Sequence, residues 1–176
     1  MMRAGTLLLT LLTAGCTAGR PVVVTTDRAA ADVAYADVRG SAGQLLGRLT
    51  ITPTGAGTSV QGTLQGLPPG THALHVHAVG QCTPPFTSAG PHFNPENVPH
   101  GLASAQGGHA GDLPNVEVGQ DGRARVDVTG RARLDGANGL LDADGAALVV
   151  HAAADDGVTD PAGNAGARIA CGVITR

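Results

Sequence analysis

The chain has 176 residues, enough for one domain of about 150 residues with an N-terminal extension. Its eleven basic residues are all arginine, and the net charge of −3 without any basic cluster argues against a nucleic-acid partner. Aromatic residues are almost absent, whereas glycine occurs 27 times and proline 11 times. The core must therefore be built from small aliphatic side chains, and such a fold would gain from covalent or metal cross-links.

The N-terminus has the pattern of an export signal. Arg3 precedes an apolar run over residues 7–12, which is too short to span a bilayer. The following letters, LTAGC, are similar to the bacterial lipoprotein signal and predict a lipid on Cys16, although Thr13 stands where leucine is usual. Cleavage nearby with a soluble secreted product is the alternative. Either route predicts an exported protein, and the first places it in the cell envelope with a lipid anchor in the membrane.

Three segments follow from this pattern: a signal peptide over 1–15, a tether over 16–30 and a domain over 31–176. The cysteine count agrees with export. If Cys16 carries lipid, Cys82 and Cys171 form an even set that can pair as a disulfide in an oxidising compartment. Two buried free thiols are the alternative.

Short segments with alternating apolar residues recur through the domain, separated by turn signals rich in proline and glycine. No segment of helical period and useful length intervenes. The pattern predicts an all-β fold, a Greek-key antiparallel β-sandwich or flattened barrel. The predicted strands are 31–38, 44–53, 57–67, 71–78, 115–120, 123–130, 146–152 and 168–174.

Two irregular stretches interrupt the strands, a long one over 79–114 and a shorter one over 154–166. Long loops in compact domains are usually functional or disordered, and metal binding would be a physical reason for order. The long stretch contains three histidines and a carboxylate, a set suited to a closed tetrahedral zinc site: His92, His100, His109 and Asp112.

The remaining histidines lie in predicted strands. His75 and His77 are two residues apart, so both side chains point to the same face and one metal can take both. Together with His151 and a fourth nitrogen from the long loop, they would give the tetragonal nitrogen coordination that Cu(II) prefers. His72 has the opposite parity and is interpreted as a structural histidine with hydrogen-bonded ring nitrogens.

Five ordered motifs, LHVHA, TSAGPHFNP, HAGDLPNV, LVVHAAADD and GNAGARIACGVI, resemble the successive signatures of the copper–zinc superoxide dismutases. The resemblance covers roughly residues 31–176. It implies that His92 bridges two metals, that Asp155 links a copper histidine to a zinc histidine, and that Arg168 lies beside the copper. It also implies an intrachain disulfide between Cys82 and Cys171. The implied ligands are His75, His77, His92 and His151 for copper, and His92, His100, His109 and Asp112 for zinc.

The function implied by the resemblance is dismutation of superoxide to dioxygen and hydrogen peroxide through a Cu(II)/Cu(I) cycle, protecting the cell envelope. Arg168 would hold the superoxide anion, and His92 would deliver a proton. The alternative is a dismutase-like protein that binds copper and zinc without turnover.

The stretch after Asp156 is shorter than its counterpart in the animal-type enzymes and has no lysine, which predicts weaker steering of the anion. Subunit contacts differ between branches of the family, so a monomer and a homodimer both stay open.

Overall fold

The computed structural model describes residues 33–176, and the predicted signal peptide, the tether and Cys16 lie outside the described residues. Nine strands form in this part of the chain. They are β1 (Ala34–Gly40), β2 (Leu45–Thr54), β3 (Gly57–Gln65), β4 (Gly70–His72), β5 (Leu74–His77), β6 (Val116–Val118), β7 (Arg123–Gly130), β8 (Ala147–His151) and β9 (Arg168–Thr175). Within 33–176 the only helix is a 3-10 turn, Thr87–Ala89, so this range has no helix that could cross a membrane.

Seven strands form one curled sheet in the order β5-β8-β9-β1-β2-β3-β7, and every pair in it is antiparallel. Strands β4 and β6 form a separate antiparallel pair. The order β9-β1-β2-β3 is that of a Greek key, in which the last strand returns to lie beside the first. The predicted all-β antiparallel fold is therefore confirmed.

The core is aliphatic, as the composition requires. Alternate residues of β1, β2 and β3 are buried, which places one face of the sheet against the interior. The fully buried side chains of this interior include Leu49, Ile51, Leu64, Leu74 and Leu148.

The structure corrects one predicted strand. Residues 71–78 form two strands in different sheets, separated at Ala73. The Ala73 N–H donates to the carbonyl of Ala153, and the N–H of His151 donates to the carbonyl of Ala73. Because these bonds come from the segment around the end of β8, the chain leaves the pairing with β6 at this residue and joins β8.

The two predicted loops follow adjacent strands, one after β5 and the other after β8, and they begin at opposite ends of this antiparallel pair. A disulfide between Cys82 and Cys171 attaches the long loop to β9, with Cα atoms 5.6 Å apart and a sequence separation of 89. Closing a loop of that length stabilises the fold by about 4 to 5 kcal/mol on the chain-entropy estimate.

Candidate metal centre

Two groups of metal-binding side chains lie side by side and share His92. In each group, one possible ligand atom per residue lies within 4.8 Å of all the others. Every member of both groups is buried. The first, here the copper-side group, is His75, His77, His92 and His151; the second, the zinc-side group, is His92, His100, His109 and Asp112.

The copper-side group is built by the sheet. His75 and His77 are alternate residues of β5, and β5 pairs with β8 so that His151 follows directly after the partner of Leu74. The Nε2 atoms of His77 and His151 are 3.3 Å apart. His92 reaches the group from the long loop through an isolated β-bridge to His77.

The zinc-side group is built by the long loop around one carboxylate. Asp112 Oδ1 is 2.9 Å from Nδ1 of His92 and 3.3 Å from Nδ1 of His109, and Oδ2 is 3.0 Å from Nδ1 of His100. The backbone N–H groups of Gly101 and His109 each donate to Asp112 Oδ2 at 2.9 Å. These bonds hold Oδ2, which leaves Oδ1, the oxygen nearest to His92 and His109, as the ligand atom.

Three buried ring nitrogens in the two groups have no hydrogen-bond partner, namely His75 Nδ1, His92 Nε2 and His100 Nδ1. Buried polar atoms in native proteins are almost always paired, so these nitrogens call for a ligand. His92 turns Nδ1 toward the zinc-side group, which leaves Nε2 for the copper-side group. Nitrogen-only ligands on one side and three histidines with a carboxylate on the other fit copper and zinc, respectively.

Asp155 connects the two groups. Its Oδ2 is 2.7 Å from Nε2 of His75, and its Oδ1 is 3.0 Å from Nε2 of His100. Each ring therefore uses Nε2 for the carboxylate and has Nδ1 available for a metal. Burial alone would raise the pKa of Asp155, but the hydrogen bonds from both histidines and from the Gly157 N–H hold it below its usual range.

Electrostatics keep these ligands in the form that binds metals. Burial lowers the pKa of His77 to about 2 and that of His151 to about 4. Burial also lowers the pKa of His75 and of His109. Burial opposes ionisation of Asp112, but hydrogen bonds from His92 and from two backbone N–H groups lower its pKa. Neutral imidazoles and an ionised carboxylate are the metal-binding forms near neutral pH.

Arg168 opens β9, and in the sheet it lies opposite His151. Its Nη1 and Nη2 atoms donate to the carbonyls of Phe86 and Gly90, both at 2.7 Å. The Gly90 carbonyl is also 2.9 Å from Nδ1 of His77. The guanidinium is thereby held next to His77 of the copper-side group through a shared backbone carbonyl.

His72 lies outside both groups. It is 3% exposed, with Nδ1 at 2.8 Å from the carbonyl of His151 and Nε2 at 2.9 Å from the carbonyl of Pro68. Both ring nitrogens thus contact backbone oxygens, as expected for a structural histidine.

Three further residues support the centre without having been predicted. Asp160 accepts a hydrogen bond from the backbone N–H of His100 at 2.6 Å, and Asn115 exchanges two hydrogen bonds with the backbone of Asp155. Gly163 has φ +63°, and a Cβ atom there would overlap the Asp155 carboxylate and lie 2.8 Å from His100 Nε2. Asp160 lies outside the five motifs, and Asn115 lies inside HAGDLPNV without being a predicted ligand, so their roles follow only from how the two loops meet.

Comparison with known proteins decides the family. The family profile described as copper/zinc superoxide dismutase (SODC) matches residues 45–174, which is most of the chain. The chain belongs to the copper/zinc superoxide dismutase family. The metals of this family are copper and zinc, in agreement with the two ligand sets.

Individual relatives support this membership in the superoxide dismutase family. The chain is 42% identical over 146 residues to Superoxide dismutase [Cu-Zn] 2 of Aquifex aeolicus, covering 80% of this chain and 85% of that protein. It is 44% identical over 147 residues to Superoxide dismutase [Cu-Zn] of Caulobacter vibrioides, covering 80% and 84%.

Solved structures agree with the fold. The Cu/Zn superoxide dismutase from Brucella abortus superimposes with a TM-score of 0.68 at 28% identity, covering 82% of this chain and all of that one. A SOD-like protein from Bacillus subtilis superimposes with a TM-score of 0.74 at 37% identity, covering 80% and 97%.

Proposed function

We propose that this protein catalyses the dismutation of superoxide to dioxygen and hydrogen peroxide, with copper held by the copper-side group and zinc by the zinc-side group. The observation that supports this best is the shared ring of His92. Its Nδ1 faces the zinc-side group, and its Nε2 is buried without a partner on the other side. Such a bridge gives one histidine two different environments, which a simple metal-storage site does not need.

The chemistry that bound copper supplies is one-electron cycling between Cu(II) and Cu(I), whereas zinc has no redox chemistry. In the overall reaction, one superoxide gives up an electron and leaves as dioxygen. A second superoxide takes an electron and two protons and leaves as hydrogen peroxide. The protein must therefore attract a small anion and supply protons.

Arg168 is suited to the first task. Two of its N–H groups are used by the carbonyls of Phe86 and Gly90, so the guanidinium is held in place while its remaining N–H groups can bind the anion. Burial lowers the pKa of Arg168, but an arginine side chain stays protonated in proteins. Its fixed positive charge favours an anion at the copper side.

His92 is suited to the second task. Because its Nδ1 faces the zinc-side group, the nitrogen that can gain and lose a proton is Nε2. We propose that His92 holds a proton at Nε2 and donates it to the departing peroxide, while the second proton comes from water. The zinc-side group keeps the ring oriented for this transfer.

The decisive experiment is an assay of superoxide decay with full-length protein whose copper and zinc contents have been measured. We expect acceleration of decay by the sample that holds both metals. If such a sample leaves the decay rate unchanged, the protein binds copper and zinc without turnover, which is the alternative function.

A substitution tests the role of the bridge. His92→Ala should lose zinc binding and most of the activity together, because one ring serves both groups. Asp121→Asn, on an exposed turn, is the control and should retain both. Retention of zinc and activity by His92→Ala would contradict the assignment.

We also propose that the protein is exported to the cell envelope and anchored by a lipid on Cys16. The LTAGC segment supports this proposal, and so does the Cys82–Cys171 disulfide, because disulfides persist mainly in oxidising compartments. In cell fractionation, Cys16→Ser should move the protein from the membrane to the soluble fraction. Unchanged membrane association would rule out this anchor.

A further inference from the structure

A cavity of about 480 Å³ lies against the zinc-side group. His92 and His109 form part of its wall and are only 5% and 7% exposed, so the cavity is where these buried rings come nearest to solvent. Asp142 and Asp144 line the same cavity, and its other polar side chains are three amides, Asn94, Asn97 and Asn138.

Aspartates are present in the lining of this cavity, and arginine is not. Asp142 is half-buried and Asp144 is exposed, and among residues 33–176 neither forms an ion pair with an arginine. The cavity has no arginine in its lining, and Arg168 lines a different one, of about 320 Å³, with Thr87 and three other uncharged residues. The two cavities therefore differ in the sign of their charge: a cation is favoured at the first and an anion at the second.

The zinc-side group needs a route for a cation. All four of its members belong to the long loop and are between 0% and 7% exposed. The His100 ring lies 5.2 Å from each of the His92 and His109 rings in the cavity wall, and its Nδ1 is buried without a hydrogen-bond partner. Carboxylate and amide oxygens bind a hydrated divalent cation weakly, which suits a temporary position before the nitrogen ligands replace water.

We propose that this cavity is the entry route of the divalent cation to the zinc-side group, and that Asp142 and Asp144 capture the cation at its mouth. The two carboxylates concentrate the ion and hold it through oxygen, and His92 and His109 then take it from the cavity wall. Neither aspartate is a ligand in the loaded centre. The inference rests on the proposed metal centre and adds how that centre is filled.

The test measures metal uptake rather than activity. Metal-free full-length protein is mixed with Co²⁺, whose absorption reports nitrogen ligation, in a stopped-flow instrument. The variant is Asp142→Asn combined with Asp144→Asn; the amide oxygen introduced by the first substitution can still accept the hydrogen bond that the Gly145 N–H donates to Asp142. We expect the uptake rate constant to fall about threefold to tenfold at low ionic strength, and the difference to shrink with added salt.

The amount of cobalt bound at saturation and its spectrum should not change, because the ligands are intact. The matched control is Asp121→Asn combined with Asp127→Asn, which changes the net charge equally at exposed positions remote from this cavity. An equal loss of rate in this control, or normal uptake by the Asp142 and Asp144 variant, would overturn the entry route. Failure of the parent protein to bind cobalt at all would instead refute the metal centre itself.

Discussion

At the scale of single residues, the centre depends on side chains that are not themselves metal ligands. Asp155 contacts one ring of each group through its two oxygens, and so fixes which nitrogen of His75 and of His100 faces inward. A carboxylate can accept from two histidines at once, whereas an amide has one accepting oxygen. The two groups are therefore coupled through a single ionised side chain.

Asp155→Asn should lower the affinity for zinc by about 10-fold to 100-fold, because one ring loses the acceptor that orients it. Competition titration of the metal-free protein against a chromophoric chelator measures this affinity. Asp156→Asn is the matched control, since Asp156 is exposed and caps only the local turn with Thr159 and Asn164. Equal affinity in the Asp155 and Asp156 variants would show that Asp155 does not position the ligands.

Sequence patterns predict residues that lie in motifs and miss those that act through the fold. His75 and His77 are placed on one face by strand parity alone. Asp160 and Asn115 hold the ligand-bearing segments directly. Asp160 lies in no motif, and Asn115, although it is part of HAGDLPNV, is a residue type that is common in loops. Their function depends on contacts between the loops that follow β5 and β8, which no local pattern encodes.

At the scale of elements, alternation locates the strands to within a few residues and does not reveal where a strand changes partner. In the predicted strand over 71–78 regular alternation begins only at Leu74, and it is the backbone bonds with His151 and Ala153 that divide the segment at Ala73. The division matters for the centre, because it places His72 with β4 and leaves β5 free to pair with β8. Pairing of β5 with β8 is what brings His75 and His77 beside His151.

At the scale of the whole molecule, the buried histidines make the metal-free protein sensitive to acid. In the unfolded chain a histidine has a pKa of about 6.5, whereas burial lowers the pKa of His77 to about 2 and that of His151 to about 4. Below pH 6.5 the unfolded state therefore binds more protons than the folded state. The stability present above this pH is lost as the pH falls toward the folded values.

Urea unfolding of the metal-free protein at pH 7 and pH 5 should show this loss, with a slope that approaches about 1.4 kcal/mol per pH unit for each of the two histidines. His151→Gln should reduce the loss, because one of the two depressed groups is gone. Equal free energies of unfolding at pH 7 and pH 5 would contradict the expectation.

The position of Gly163 has a consequence for how sequences of this fold can vary. Its backbone has a positive φ, and the space where a side chain would begin is taken by the Asp155 carboxylate and the His100 ring. Any side chain at 163 would have to displace the carboxylate that links His75 to His100 across the centre. In a library of all single substitutions, this glycine should tolerate replacement as poorly as the ligands themselves, although it has no side chain that could bind a metal.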